Sequence, residues 1–420
     1  MIRRCLRSLN GLSKKLSRVT LIGGEETLTG LSMGYYSGAN GLQLCPAPSA
    51  KPITSLSAKN LLSVERRAFF TLLHYADGVT NLFGIGTPTS NIVTLPQGEP
   101  FAVVTSDGDR YALLSIVCEN KQAIYELRTG EIDVYDLPYR LFGGIAHCGR
   151  MFAVDKADRC KVVWSGLRVT DWEDKLDGSG YINLKGDNGE IQKLENFGDD
   201  ILCVLKQGFA VIRGFADSRN YRISPSQFSV NVGLNINVGG VWGGKYYYST
   251  ANGLQSYNGE TINMEYAVNR HLTDVGRVYV LGDGYVYANC TYNGEECLMR
   301  YDPQSGNSIF FGKGCTIPFF YKGEVYCVKD GKFYSLSPKN TEEGRIWRSQ
   351  PIGGCGKKTL KYLYVDGEGT PEFTVVSERG RLKVKGTGRI PVNIVGEKIY
   401  VEISGNTPVR SVVAELEERR

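Results

Sequence analysis

Seven strand–turn–strand signatures recur along the chain at nearly even spacing, and no other feature narrows the possible folds as much. The first four are "AFFTLLHYADGVTNLFGIG" turning near Asp77, "RYALLSIVCENKQAIYELR" near Asn120, "RMFAVDKADRCKVVWSG" near Asp158 and "DILCVLKQGFAVIRG" near Gln207. "KYYYSTANGLQSYNG" near Asn252, "YVYANCTYNGEECLMRYD" near Asn293 and "GEVYCVKDGKFYSLS" near Asp330 complete the series. Neighbouring turn centres lie 37 to 49 residues apart. The mean of about 42 is the length that four short strands and their turns occupy in one blade of a β-propeller.

Turn chemistry agrees with the spacing. Asp-Gly at 77 and 330 and Asn-Gly at 252 and 293 readily take the positive φ angles of tight hairpins. Flanks such as Lys245 to Ser249 and Glu324 to Val328 fit strands packed on one or both faces between adjacent sheets. A pair of β-sandwiches would also show short strands and frequent turns, but the even repeat favours radial arrangement. Seven hairpins give seven blades. Six stays open because the first hairpin is irregular and one interval reaches 49 residues.

The expected fold is therefore all-β: a β-propeller over residues 56–345, then a small C-terminal β-sandwich over 346–420. "LKYLYVDG", "EFTVVSERG", "RLKVKG", "IPVNIVG", "KIYVEISG" and "VRSVVAELEER" are the sandwich strands, entered through a linker with Gly353, Gly354 and Gly356. Residues 1–55 form an extended basic arm and connector. The connector "SMGYYSGANGLQLCPAPSAKPITS" is placed to lend one edge strand that closes the ring.

Charge is concentrated at the start of the chain. Arg3, Arg4, Arg7, Lys14, Lys15 and Arg18 stand in the first 24 residues without an acid, so the rest of a chain of net charge +5 sums to about −1. Net charge therefore implies no basic face on the body and no nucleic-acid binding by it. These six cations are the candidate partner-binding residues. Docking on a neighbouring subunit, plain disorder and a targeting segment all fit the arm. No stretch approaches the roughly 20 apolar residues of a membrane helix.

The residues offer little catalytic chemistry. Eleven scattered cysteines without a C-x-x-C pair read as buried reduced thiols of a protein assembled inside a cell. His74, His147 and His271 stand in no nucleophile or zinc motif, and neighbours on a strand, such as His147 and Cys148, point to opposite faces. "GDNGE" (186–190) comes nearest to a calcium loop but lacks its ligand spacing. The expectation is no enzyme, no cofactor and no metal.

One stretch goes further than patterning. Trp164-Ser165-Gly166, Asp171-Trp172 and Gly180-Tyr181-Ile182, followed by "GEIQKLENFGDDILCVLKQGFAVIRG", resemble β-propeller virion proteins of tailed bacteriophages, the tail-hub or nozzle proteins. The connector, the "KYYYSTANGLQSYNG" repeat, the "IWRSQPI" junction and the "NTPVRSVVAELE" ending extend the likeness, in order, over most of residues 25–420. The resemblance implies a homo-oligomeric ring in the virion around the DNA channel, assembled in the host cytoplasm. Its partners would be copies of itself, portal or adaptor proteins, and tail or fibre proteins, with non-specific DNA contact and no membrane. A propeller binding module for a glycan or protein partner is the alternative, and a hydrolase or lyase on a propeller the third class. The stretch "VVWSGLRVTDWEDKLDGSGYINL" is then a crossing between blades, its two tryptophans buried against neighbouring sheets.

Overall fold

The structure is a computed structural model of the full chain. It describes residues 5–419 except 10–11, 23–30, 34, 38–43, 47–48, 68–69, 77–79, 84–92, 96–102, 108–109, 118–120, 127–131, 168–169, 174–177, 185–187, 215–221, 224–229, 266–268, 270–271, 273, 293–294, 305–306, 312–313, 322, 338–345, 350, 353–355, 405–406 and 408. In several strands, chiefly before residue 57 and between 65 and 132, the description is of the backbone. The chain divides into two compact units: Pro52–Glu296 with Gly314–Ser335, and Met1–Lys51 with Cys297–Lys313 and Leu336–Arg420.

The first unit is a β-propeller. Its sheets are antiparallel meanders in chain order. The first is Leu61–Arg67, Phe70–Tyr75, Thr80–Phe83 and Val93–Leu95; the second is Val103–Asp107, Arg110–Val117, Lys121–Glu126 and Ile132–Asp136. The third is Leu141–His147, Arg150–Asp155, Lys161–Trp164 and Gly180–Asn183; the fourth is Ile191–Phe197, Asp200–Leu205, Gly208–Arg213 and Arg222–Ile223, joined by Val230–Asn231. The fifth is Asn237–Trp242, Lys245–Thr250, Gly253–Tyr257 and Ile262–Met264, and the sixth contributes the hairpin Asp274–Val280 and Val286–Tyr292. The seventh, Thr316–Tyr321, Glu324–Lys329 and Lys332–Ser337, takes its fourth strand, Ser49–Ser57, from the connector. That is the edge strand the connector was expected to lend.

Leading strands pack on one another in succession from the second sheet to the sixth, and the leading strand of the seventh packs on that of the first. The leading strands of the fourth to seventh sheets, with Val64 of the first, also line one common cavity, so the sheets are arranged about an axis as in a propeller. Shared cores form the joints. Ile145, Phe152, Val162 and Trp164 of the third sheet meet Ile191, Leu194, Ile201 and Cys203 of the fourth. Leu61, Val64 and Leu73 of the first meet Phe319, Tyr326 and Phe333 of the seventh.

Each expected hairpin supplies the second and third strands of one repeat, although the strand Glu295–Asp302 after the sixth turn falls largely in the other unit. Asp77, Asn120 and Asn293 lie outside the described residues. Asp330 and Gly331 have φ of 50° and 68°, the two-residue turn foreseen there. At Asn252–Gly253 only the glycine is left-handed, with φ 102°, and the loop is Ala251–Asn252 between the paired Thr250 and Gly253.

The two tryptophans hold the third sheet from opposite sides. Trp164 packs toward the fourth sheet, donates Nε1–H to Gly178 O at 3.0 Å, and is accommodated by Gly180, where a Cβ would lie 2.8 Å from the indole Cζ2. Trp172 packs on Leu137, Leu141, Met151 and Val163 and donates Nε1–H to Oε1 of the buried Gln122, in the second sheet, at 3.1 Å. The expected crossing between blades is not what these residues build: Lys161–Trp164 and Gly180–Asn183 pair as the third and fourth strands of one sheet, so the stretch is a long turn within a blade, and only the burial of its tryptophans at the joints is as expected.

The second unit is a β-sandwich of two sheets. One runs Cys5–Leu9, Leu12–Ile22, Val409–Arg419, Lys358–Gly367 and Gly388–Gly396, with Leu44–Pro46 and Tyr35–Ser37 beside it. The other includes Asn307–Phe311, Leu31–Met33, Ile346–Arg348, Ile399–Ser404, Glu372–Ser377 and Gly380–Lys385. Leu360, Leu363, Phe373, Val375, Ile399, Val401, Val412 and Leu416 fill the space between them. The basic arm is thus a hairpin whose second strand pairs with the C-terminal strand, setting Lys15 opposite Glu418 and Arg18 opposite Glu415.

Replacing Trp172 by Ala should destabilise the propeller by about 3–5 kcal/mol. Gln122→Leu should cost about 1–3 kcal/mol by stranding the indole N–H. In a denaturant double-mutant cycle, Gln122→Leu with Trp172→Phe should lose less than the sum of the two single changes. Strict additivity would refute the inter-sheet bond.

Candidate functional site

A recurrent bulge shapes the axis of the propeller. Six of the seven leading strands slip register against their second strand: at Leu61/Ser63, Phe142/Ile145, Ile191/Lys193, Asn237/Gly240, Val275/Val278 and Thr316/Phe319. A bulge leaves residues unpaired and re-aims their side chains. In four strands the skipped pair is Gly143–Gly144, Val238–Gly239, Gly276–Arg277 or Ile317–Pro318. Only the sixth repeat puts a cation there.

Arg277 lines a cavity of about 410 Å³ with Lys193, Glu195, Asn196, Gly239, Tyr279, Pro318 and Phe319 among its walls. These residues come from the leading strands of the fourth to seventh sheets, with Val64 from the first. The Gly239 peptide is fixed from both ends. Its N–H donates to Tyr246 Oη at 2.7 Å, and its carbonyl accepts from Lys193 Nζ at 2.6 Å. No side chain fits at this position, because a Cβ would lie 1.8 Å from Tyr247 O. Lys193 also pairs with Glu195. Asn196 donates to Ala146 O at 2.9 Å, and its Oδ1 lies 3.0 Å from His147 Nδ1, tying the fourth sheet to the third.

Arg277 makes no ion pair among the described residues. Its guanidinium lies 5.4 Å from the Tyr279 ring centroid. Two cations and one carboxylate leave the lining with one uncompensated positive charge. A guanidinium fork in a half-enclosed space suits a carboxylate or phosphate oxygen. Glu195 is the one carboxylate among these lining residues, and Lys193 engages it. The charge of this lining favours an anion over a cation.

None of the residues singled out from sequence is among these lining residues. Arg3 and Arg4 are outside the described residues; Arg7 is in Cys5–Leu9, and Lys14, Lys15 and Arg18 are in Leu12–Ile22, with Arg7 directly opposite Lys14. His147 is buried against Phe152, His74 lies in Phe70–Tyr75, and His271 is outside the described residues. Cys148 is not on a strand beside His147 as expected: it sits in a left-handed turn with Gly149, at φ 48° and 73°. Of the "GDNGE" loop, Asn188 is buried and Gly186 and Asp187 lie outside the described residues. Sequence reasoning missed Arg277 and Lys193. Glycines inside strands, as in "LFGGIAH", "NVGGVW" and "DVGRVY", were the available signal of a bulge.

No protein-family model matches the chain, and no curated protein matches it. Among solved structures it is similar to BamB from Moraxella catarrhalis, at 11% identity over 72% of this chain and 94% of that one, with a TM-score of 0.43. It is also similar to a chain of the mitotic checkpoint complex, at 8% identity over 68% and 93%, with a TM-score of 0.45. Likenesses this distant decide nothing about ligand or partner. The propeller rests on the chain's own sheet order.

Two neighbouring tyrosines should respond oppositely to the same change. Tyr246→Phe strands the Gly239 N–H and should cost about 1–3 kcal/mol. The Tyr248 hydroxyl is buried with no hydrogen-bond partner among the described residues, so Tyr248→Phe should be neutral or stabilising by about 1 kcal/mol. Thermal melts of both variants check this. Burial also raises the phenols of Tyr246 and Tyr248, and pushes Tyr247 and Tyr326 up to about 12. Unfolded tyrosine ionises near pH 10, so stability should be intact below about pH 10 and fall as pH rises past it. Denaturant midpoints across that range give the slope.

Proposed function

We propose that this chain is a non-enzymatic structural subunit of a tailed-phage virion, one copy of an oligomeric ring in the tail or neck at the position of a hub or nozzle. The observation that carries the reading is the ordered resemblance from the Trp164-Ser165 strand through Asp171-Trp172 to Gly180-Tyr181-Ile182. The role of that stretch adds support. Its tryptophans stiffen one blade against both neighbours, and a stiff disc with few open edges is a suitable ring subunit. A sandwich that takes strands from both ends of the chain offers a second body for contacts within the ring. Copies of itself, portal or adaptor proteins and tail or fibre proteins are the partners of this reading. The arm residues Arg3, Arg4, Arg7, Lys14, Lys15 and Arg18 remain its candidate contacts, with non-specific contact to DNA in the channel.

A second reading, a propeller module that binds a glycan or protein partner, is favoured by one feature: the axial cavity with Arg277. Mass measurement of the purified protein and of particles separates the two. The ring reading expects a closed multimer of about six or twelve subunits. A stable monomer that binds an acidic partner, and loses it on Arg277→Ala, would overturn the ring in favour of the module.

A further inference from the structure

Gly380–Lys385 is the terminal strand of its sheet. It pairs with Glu372–Ser377 on one side and, among the described residues, with no strand on the other. Leu382 and Val384 face inward, partly buried against the sandwich core, while Arg381, Lys383 and Lys385 are exposed. Across the ladder they meet Val376, Thr374 and Glu372, so only Lys385 has an acid opposite. None of the three forms an ion pair among the described residues. Alternate residues of a strand lie about 6.6 Å apart on one face, so the edge carries a regular row of cations. Residues 379–389 hold five cations and no acid, a local charge equal to the net charge of the whole chain.

We propose that this edge binds an extended acidic segment of a partner protein as an added β-strand. The partner's Asp or Glu at alternate positions would face Arg381, Lys383 and Lys385, and the apolar residues between them would extend the core beside Leu382 and Val384. The unpaired N–H and C=O row supplies main-chain hydrogen bonds, and the cations select the sign of the guest. Two copies of the edge would oppose cation to cation, so self-pairing is disfavoured while an acidic strand is admitted. The sandwich already sets a basic strand beside an acidic one: Leu12–Ile22 lies on Val409–Arg419 with Arg18 opposite Glu415 and Lys15 opposite Glu418, although Lys14 meets Arg419.

The test uses the full chain and a short fluorescent peptide alternating Glu with Val and Thr, read by anisotropy. Comparison probes are its Lys-for-Glu counterpart, a version N-methylated at alternate residues, and a single-stranded oligonucleotide of equal charge. The Glu peptide should bind at least about tenfold tighter than the Lys peptide and the N-methylated one, and weaken with salt. Lys383→Glu with Lys385→Glu should lose the Glu peptide by about tenfold and gain the Lys peptide. Absence of Glu-peptide binding overturns the proposal. Equal binding of the N-methylated peptide, or tighter binding of the oligonucleotide, also overturns it, because the edge would then be a polyanion surface and not a strand acceptor. The peptide comparisons need no altered protein, so a variant that fails to fold leaves the test intact.

Discussion

The face-to-face packing of successive small sheets is the constraint on which the propeller depends. A four-stranded sheet of strands this short cannot bury both faces alone, so each repeat is stable only between two others. An open row would leave two end faces wet. The chain removes them by setting Val64 and Leu73 of the first sheet against Phe319, Tyr326 and Phe333 of the seventh. Completing that seventh sheet with Ser49–Ser57, from before the first repeat, makes closure a pairing between distant parts of the chain.

Packing between sheets also explains where polar groups are buried. Gln122 links Trp172 in the next sheet and contacts Met151 Sδ, and the Ser165 hydroxyl accepts the Met151 N–H at 3.0 Å while donating to Gly166 O. Such bonds add little net stability when satisfied, but leaving one partner unpaired in a dry joint is expensive. The Gln122 bonds therefore fix the second sheet on the third, and the Ser165 bonds fix the end of one strand within the third repeat, more than either adds stability. The bulges of the leading strands act at the axis in a comparable way. Skipping a pair lets adjacent backbones approach and turns one residue per strand inward, which is how Arg277 reaches the cavity.

The hairpins were legible because a tight turn is a local event: Asp330-Gly331 reads the same in a peptide as in the fold. The joint at Trp164 and Trp172 was legible because an indole has few places to go other than a dry interface. The pairing of the arm with the C-terminal strand was not, since nothing in "SKKLSRV" names a partner some four hundred residues away in "VVAELEER". Arg277 was invisible for a different reason. Its value comes from the register slip between Val275 and Val278, and a slip changes facing without changing composition.

Charge shows most clearly how a total misleads. Six cations in the arm and five in residues 379–389 together exceed the net +5, so the remainder of the chain is acidic on balance. In the arm the positive strand Leu12–Ile22 runs along an acidic one, with Arg18 opposite Glu415 and Lys15 opposite Glu418. Gly380–Lys385 has no such neighbour on its open side among the described residues. An edge of lysines is the usual defence of a sheet against unwanted pairing, and the same defence works as a filter when the approaching strand carries the opposite sign. Protection and recognition are then one electrostatic property, distinguished only by the guest.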